Sequence, residues 1–492
     1  MVAKAMAEIH HADGRVELDA GDLRTLEESQ SPLYNADLAP VAVAERRWTT
    51  YNFAALWISM AHCIPTYMLA SGLIGAGMSW WQALVTILLG NVIVLLPILL
   101  NSHPGTAYGI PFPVLLRASF GTYGANLPAL MRALVACGWF GINAWIGGSV
   151  LNTFFTACFA RWGWPTVLGA SPILGYLPAQ WLSFLLFWSL NIYVIYRGME
   201  LVRRVENFAA PFVLVMALVL LVWAVSKAHG FGPIMDQSAG LSGEKFWAAF
   251  PLMLTGMIGF WATLSLNMPD FTRFGRSQRE QMFGQAVALP TTMLGFSAMA
   301  VIITSATTVL FGRVIWKPEL LIGELKQPLW VGLAALTLCI ATLAVNIAAN
   351  VVSPANDFAN AWPRRISFRR GAFITGVLGI LFMPWKLTED THAYLQGWLV
   401  GYSGGLGPIA AVMIVDYWLI RKRQLRLLDL YLPEGVYKYR RGWNLRAVVA
   451  TLIGCGLAWG GLIIPAMRPL FDYAWFVGFA ASGLSYYLLM RR

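Results

Sequence analysis

Charge is scarce in this chain. Asp, Glu, Lys and Arg make up 12% of its 492 residues, against 58% hydrophobic, where a soluble domain usually carries about 25% charged residues. That leaves too little polar surface for water, and at this length a soluble chain would need several domains. No polar linker separates such domains; short basic turns join long apolar runs. Cysteine is sparse too. Cys63, Cys137, Cys158, Cys339 and Cys455 all lie in apolar segments without CxxC spacing, which excludes a disulfide framework or a thiolate metal site. No grouping of paired carboxylates, metal ligands or an activated nucleophile marks a catalytic centre in the apolar runs, so an enzyme is not expected. Residues 1–50 are polar and lack the apolar core of a signal peptide. They read as a cytoplasmic tail.

What is present is apolar length, with a mean hydropathy of +0.60. About 20 apolar residues cross a bilayer as a helix. Such runs lie near 53–75, 82–101, 126–158, 179–197, 206–226 and 247–268, then near 284–311, 329–355, 371–385, 392–419, 447–466 and 470–490. The expectation is an all-α multi-pass protein of about twelve membrane helices. Its net charge of +11 is assigned to loops on one side of the membrane rather than to nucleic-acid binding. One set of loops holds Arg197, Arg203, Arg204, Arg273, Arg276, Arg279, Arg364, Arg365, Arg369 and Arg370, then Arg421, Lys422, Arg423, Arg426, Lys438, Arg440, Arg441 and Arg446. The opposite loops hold fewer, such as Arg161, Lys227, Lys245, Arg313 and Lys317. The rich side should be cytoplasmic, with both termini inside an inner-membrane protein. Trp80, Trp81, Trp162, Trp164 and Trp385 sit at span ends, as interfacial aromatics do.

Several helices carry interruptions. The first contains Pro65 after Ser59, Met60, Ala61, His62 and Cys63; the sixth has Gly256 and Gly259 just before Phe260 and Trp261. The tenth carries Gly397, Gly401, Gly404, Gly405, Gly407 and Pro408. Breaks at membrane depth are tolerated where the freed backbone faces protein or a wet cavity. In corresponding positions of two halves they point to a transport site. The tenth-helix glycines fit either a pliable gate or close helix packing.

Five stretches resemble the nucleobase:cation symporter-1 family. They are His103-Pro-Gly-Thr-Ala-Tyr-Gly-Ile-Pro-Phe-Pro-Val-Leu-Leu-Arg-Ala-Ser-Phe-Gly121, Gly138-Trp-Phe-Gly-Ile-Asn-Ala-Trp145, Asn267-Met-Pro-Asp-Phe-Thr-Arg-Phe274, Asn346-Ile-Ala-Ala-Asn-Val-Val-Ser-Pro354 and Gly407-Pro-Ile-Ala-Ala-Val-Met-Ile-Val-Asp-Tyr417. The resemblance implies a leucine-transporter-like five-plus-five inverted repeat over residues 51–420, with helices 1 and 6 broken. A basic cytoplasmic loop, 421–446, and two additional helices, 447–492, would follow. It also implies symport of purines, pyrimidines, allantoin or hydantoins, with no cofactor, no nucleic acid and no obligate protein partner.

By the same resemblance, Trp139 and Trp261 would sandwich a planar heterocycle, which suits an indole face. Asn350 would present its carboxamide to the alternating N–H and C=O edge of the ring. Asn143 lies one turn after Trp139, where relatives usually carry Gln, and Cys63 stands where they carry Gln or Asn. Both departures bear on which ring is carried. Sodium-coupled relatives use first-helix carbonyls, here those of Ser59 and His62, with eighth-helix groups that include the Ala341 carbonyl and two hydroxyls. Ala344 and Val345 replace the hydroxyls, and a hard cation wants several oxygens, so proton coupling is expected over sodium. His62, which titrates near neutral pH, is the candidate carrier; the alternative is a neutral ring bonded to a carbonyl. Asp270 and Asp357 read as gate or loop anchors. The competing function is a sodium-coupled carrier of the same fold for purines, cytosine or another small substrate.

Overall fold

Long apolar runs become helices here where polar residues or glycine close their ends. Ser79 and Gln82 form a reciprocal cap at the start of Trp80–Tyr108, and Gly109 ends that helix at φ 69°, a conformation glycine adopts without steric cost. Ser277 caps Gln278–Phe311, which Gly312 closes at φ 67°. The computed structural model describes residues 8–29, 31–162, 171–197, 199–236, 240–325 and 327–491, with backbone alone at 161–162, 197, 199–211, 213, 328 and 348. The side chains of Arg161, Trp162, Arg197, Arg203 and Arg204, and all of Trp164, lie outside that description.

In chain order the principal helices are α1 (Thr50–Ala61) and α2 (Ile64–Gly75), α3 (Trp80–Tyr108), α4 (Phe112–Phe120), α5 (Asn126–Trp162), α6 (Pro178–Arg197) and α7 (Met199–Lys227). Then come α8 (Gly243–Phe260) with the short α9 (Leu264–Asn267) and α10 (Pro269–Thr272), α11 (Gln278–Phe311), α12 (Pro328–Asn350), α13 (Val352–Ala361) and α14 (Phe368–Leu381). A π-helical segment, Ala393–Val400, leads into α15 (Gly401–Ile414), and α16 (Leu445–Ile463) and α17 (Ala474–Met490) complete the chain. Among the described residues, seven helices are long and apolar enough to cross a membrane, or nine if each of two bent pairs counts as one span. Leu214–Lys227 and Ala474–Met490 are shorter apolar helices.

The bends fall at the two interruptions. α1 and α2 meet at 57°, and α8 meets Leu264–Thr272 at 43°. The first break lies at His62 and Cys63, just before Pro65 rather than at it, because Pro65 occupies the first turn of α2, where its missing N–H costs nothing. The tenth-helix glycines divide. A Cβ at Gly404 or Gly405 would lie 2.9 or 2.8 Å from the Trp459 ring, and one at Gly407 would lie 2.8 Å from the Trp475 carbonyl. These three permit close packing against α16 and α17. Gly397 and Gly401 have open space or a single distant neighbour.

Two packed groups emerge. α1, α2, α3, α8 and α11 pack on one another, and α5, α6, α12, α13 and α14 form a second body with its own core around Phe140, Trp145, Phe184 and Phe187. The segment before α1 is folded: a hairpin of Glu8–His10 and Val16–Leu18 precedes a helix, Ala20–Glu28. It reaches the turns after α10, α13 and α15. Trp48 pairs with Gly275, Arg273 donates to the Asp37 carbonyl, Asn35 to the Pro363 carbonyl and Ser31 to the Tyr431 carbonyl. Asn444 reaches Met490 Sδ at 3.9 Å, so the last turn of α17 lies beside the 421–446 loop that Ser31 also contacts.

Arg46 pins this segment down. It is 1% exposed and donates to the carbonyls of Val16, Val41, Thr106 and Ala107 at 2.8–3.1 Å. Burial lowers its pKa to about 10, which leaves it charged at neutral pH. Arg46→Ala should destabilise the segment by roughly 2–3 kcal/mol, since bonds to a charged donor contribute about that much. Limited trypsinolysis in detergent should then cut before residue 47 faster than in the parent.

Candidate functional site

The two breaks free backbone carbonyls at helix ends that lipid cannot satisfy. Hydroxyls of the tenth-helix region bond one carbonyl near each break, in addition to the backbone's own bonds: Pro65 lies in the first turn of α2, and the Gly259 carbonyl also takes the Ala262 N–H. Tyr394 donates to the Pro65 carbonyl at 3.0 Å, and Tyr402 donates to the Gly259 carbonyl at 2.6 Å. Between them in sequence stands Trp398, and the three recur every fourth residue on one face. All three meet the Trp139 ring edge-on, with centroids 5.9–6.4 Å away. Trp139 also donates its indole N–H to the Tyr402 hydroxyl at 3.3 Å. Gly138 makes this approach possible, since a Cβ there would collide with the Trp398 ring.

Trp139 and Trp261 share a neighbour. Phe260, the last residue of α8, meets Trp139 edge-on at 5.4 Å and Trp261 at 4.8 Å. Trp57 closes on Trp261 from α1 at 5.0 Å. The pair expected to sandwich a ring is thus brought around one aromatic cluster, with Phe260 as the common contact. Asn143 donates to the Trp139 carbonyl at 3.0 Å, one turn back on its own helix. Its Oδ1 has no partner, nor do the indole nitrogens of Trp261, Trp398 and Trp57, all buried. Buried polar atoms are nearly always bonded, so a cluster of one acceptor and several donors left open reads as a site built for a ligand.

Asn350 is less directly placed. Its amide donates to Asn346 Oδ1 at 3.1 Å, and Asn346 donates to Asn191 Oδ1 at 3.1 Å and to the Phe140 carbonyl at 3.3 Å. This chain ties α12 to α6 and α5. Cys63 caps α2, with Sγ 3.2 Å from the Thr66 hydroxyl. Cys63 and Ala341 share a separate apolar cavity of about 260 Å³, walled by Tyr67, Trp223, Phe296 and Leu338. None of Trp139, Trp261, Asn143 and Asn350 lines it.

At the first break, Ser59 is half-buried in the last turn of α1. His62 folds back so that Nδ1 lies 2.5 Å from the Ile58 carbonyl, which also takes the His62 backbone N–H. Across from it, Ala344 and Val345 are buried apolar side chains, and the Thr342 hydroxyl donates to the Leu338 carbonyl of its own helix. No metal-ligand cluster occurs among the described residues. Sequence reasoning missed Tyr394, Trp398 and Tyr402; their four-residue spacing was the available signal, masked by attention to the glycines between them.

Two bent spans meeting around a buried aromatic cluster, with two bodies packed across it, define a broken-helix membrane transporter. Residues 40–478 match the family model described as permease for cytosine/purines, uracil, thiamine, allantoin, and the chain belongs to that family. It is a family of permeases, not enzymes. The chain is 43% identical to the allantoin permease of Bacillus subtilis, covering 95% of each protein. It is 41% identical to the purine-uracil permease NCS1 of Arabidopsis thaliana, covering 94% of this chain and 78% of that one. Among solved structures it matches Mhp1, a nucleobase-cation-symport-1 family transporter, in a closed conformation with bromovinylhydantoin bound, at TM-score 0.75, 26% identity and 93% and 95% coverage. The inward-facing conformation of Mhp1 matches at TM-score 0.78 and 25% identity, covering 94% of each chain.

Tyr402→Phe removes the hydroxyl that links the Gly259 carbonyl to the Trp139 indole and leaves the indole N–H without a partner. An unsatisfied buried group costs about 1–3 kcal/mol. Amide hydrogen exchange over residues 256–263 should therefore quicken roughly tenfold or more, while exchange in α16 stays at the parent rate.

Proposed function

We propose that the chain is a proton-coupled symporter that brings a nucleobase-related heterocycle such as allantoin, uracil, a hydantoin or a dihydropyrimidine across the inner membrane. The observation that carries this reading is the open acceptor and donors around Trp139. A cyclic amide or ureide carries both N–H and C=O on a flat ring, so it can meet Asn143 Oδ1 and an indole N–H while stacking between Trp139 and Trp261. Asn350 contributes by turning its amide from Asn346 to the ring, while Cys63 lines the separate apolar cavity. The basic end of the molecule faces the cytoplasm, with residues 51–420 as the transport core and 447–492 as an appended helix pair.

Proton coupling follows from what the eighth-helix region offers an ion. Ala344 and Val345 give no oxygen, and the Thr342 hydroxyl is committed. The carbonyls of Ser59, His62 and Ala341 would stand alone around a hard cation that wants six or so ligands. Of the ionisable groups at the break, His62 donates Nδ1–H to the Ile58 carbonyl and can take or release a proton at Nε2. Transport proceeds as the two bodies rock against each other about the broken helices.

Uptake of labelled allantoin, uracil and 5-benzylhydantoin should persist without sodium and collapse with a protonophore. Uptake that requires sodium would sink the coupling assignment, and uptake of none of the three would sink the substrate class. Trp139→Ala and Trp261→Ala should each raise the apparent KM for the carried substrate by about tenfold or more, equivalent to ~1.4 kcal/mol. If both variants keep the parent KM, the ring does not stack there.

A further inference from the structure

Below the substrate cluster, one face of the eighth-helix region is polar. Asn346, Asn350, Ser353, Asp357 and Asn360 recur at intervals of four, three, four and three along α12 and α13, and all are buried. That spacing lines one helical face. The stripe starts beside the proposed site and, near its far end, carries a carboxylate without a hydrogen bond. Asp357 is 0% exposed, yet neither of its oxygens has a hydrogen bond. Arg132 of α5, 1% exposed, approaches to 3.7 Å, and its own Nε and Nη1 are also without partners. The two charges face each other without bonding.

Asp270 makes the contrast. It lies on α10, on the other side of the boundary between the two bodies. Its Oδ1 accepts the Phe112 N–H at 2.9 Å, and its Oδ2 accepts the Ser353 hydroxyl at 2.6 Å and the Asn267 amide at 3.5 Å. One carboxylate is solvated by protein; the other is not. An ionised, unbonded carboxylate in a dry interior costs several kcal/mol, a cost that a proton removes. Arg273, beside Asp270, donates to the Asp37 carbonyl and leaves its Nε without a partner. Cys137 lies on α5 beside Arg132 and Asp357, Arg117 of α4 is engaged by Asn360 and the Leu430 carbonyl, and Arg370 of α14 turns to the Arg365 carbonyl.

We propose that Asp357, loosely paired with Arg132 at the foot of this polar stripe, is the group that carries the coupling proton. The step is an acid–base one: a proton from the outer water adds to the carboxylate and is later lost to the inner water. Protonation releases Arg132, whose nearest other acid is Asp270 across the boundary. Arg132 then bridges the two bodies in one state and pairs within its own body in the other. The Ser353–Asp270 bond crosses the same boundary and must break when the bodies part, which exposes Asp270 to Arg132. This assignment rests on the proton-coupled reading above and replaces His62 as carrier.

The test uses the purified protein in liposomes, with labelled allantoin, uracil and 5-benzylhydantoin as probes. Under an inward proton gradient the parent accumulates its substrate. Asp357→Asn should still exchange substrate across the membrane but lose accumulation, its internal-to-external ratio falling to unity. Asp357→Asn that accumulates like the parent overturns the assignment. If Asp357→Asn neither exchanges nor accumulates, infrared difference spectra of the parent between acid and neutral pH decide. A protonated-carboxyl band that the variant lacks supports Asp357, and identical spectra overturn it. A parent that ignores the proton gradient and follows sodium overturns the coupling reading itself, and this one with it.

Discussion

A helix interrupted inside a membrane exposes peptide groups that hydrocarbon cannot bond, and every other feature of this site follows from how those groups are met. The breaks at His62 and Trp261 are held by the hydroxyls of Tyr394 and Tyr402, which reach the Pro65 and Gly259 carbonyls. Because both tyrosines come from the same stretch of chain, satisfying the breaks also draws Trp398 down on Trp139. Backbone chemistry and site closure are therefore one event. The Gly259 carbonyl also takes the Ala262 N–H, so the tyrosines add a second bond there and fasten the tenth-helix stretch to both breaks.

The same economy appears on the opposite side of the site. The Asn191–Asn346–Asn350 chain joins α6 to α12, so the Asn350 amide is held by a network rather than by a single neighbour. Such networks are strong when complete and expensive when broken. A ligand that captures Asn350 must offer at least one bond in return, which favours rings bearing both donors and acceptors over apolar ones.

Much of this was legible beforehand. Apolar length with little charge marked the membrane helices, and Pro65 and Gly259 marked the breaks to within a few residues. The motif stretches contain Trp139 and Asn350, and Trp261 follows the sixth-helix glycines; the structure brings Trp139 and Trp261 onto Phe260. Other features were hidden because they depend on distant partners. Asn143 was expected to face a ring, but its amide also bonds back to Trp139, which spacing alone does not reveal. Cys63 and Ala341 fall on an apolar cavity beside the aromatic cluster, a result of the 57° bend that no periodicity encodes. Asp357 looked like a loop anchor near a helix end; its isolation became visible only when Asn126 and Asp270 were seen to take the donors of Asn360 and Ser353.

The π-helical pitch of Ala393–Val400 has a geometric meaning for the three rings that cover Trp139. Four residues of an ordinary α-helix turn through about 400°, so rings spaced by four drift around the axis by some 40° at each step. A wider turn, closing its bonds one residue later, cancels much of that drift and keeps Tyr394 and Trp398 in line. Alignment of the rings is thus a property of winding, not of position. Were the segment to rewind to the α-helical pitch, the row would fan out and uncover Trp139.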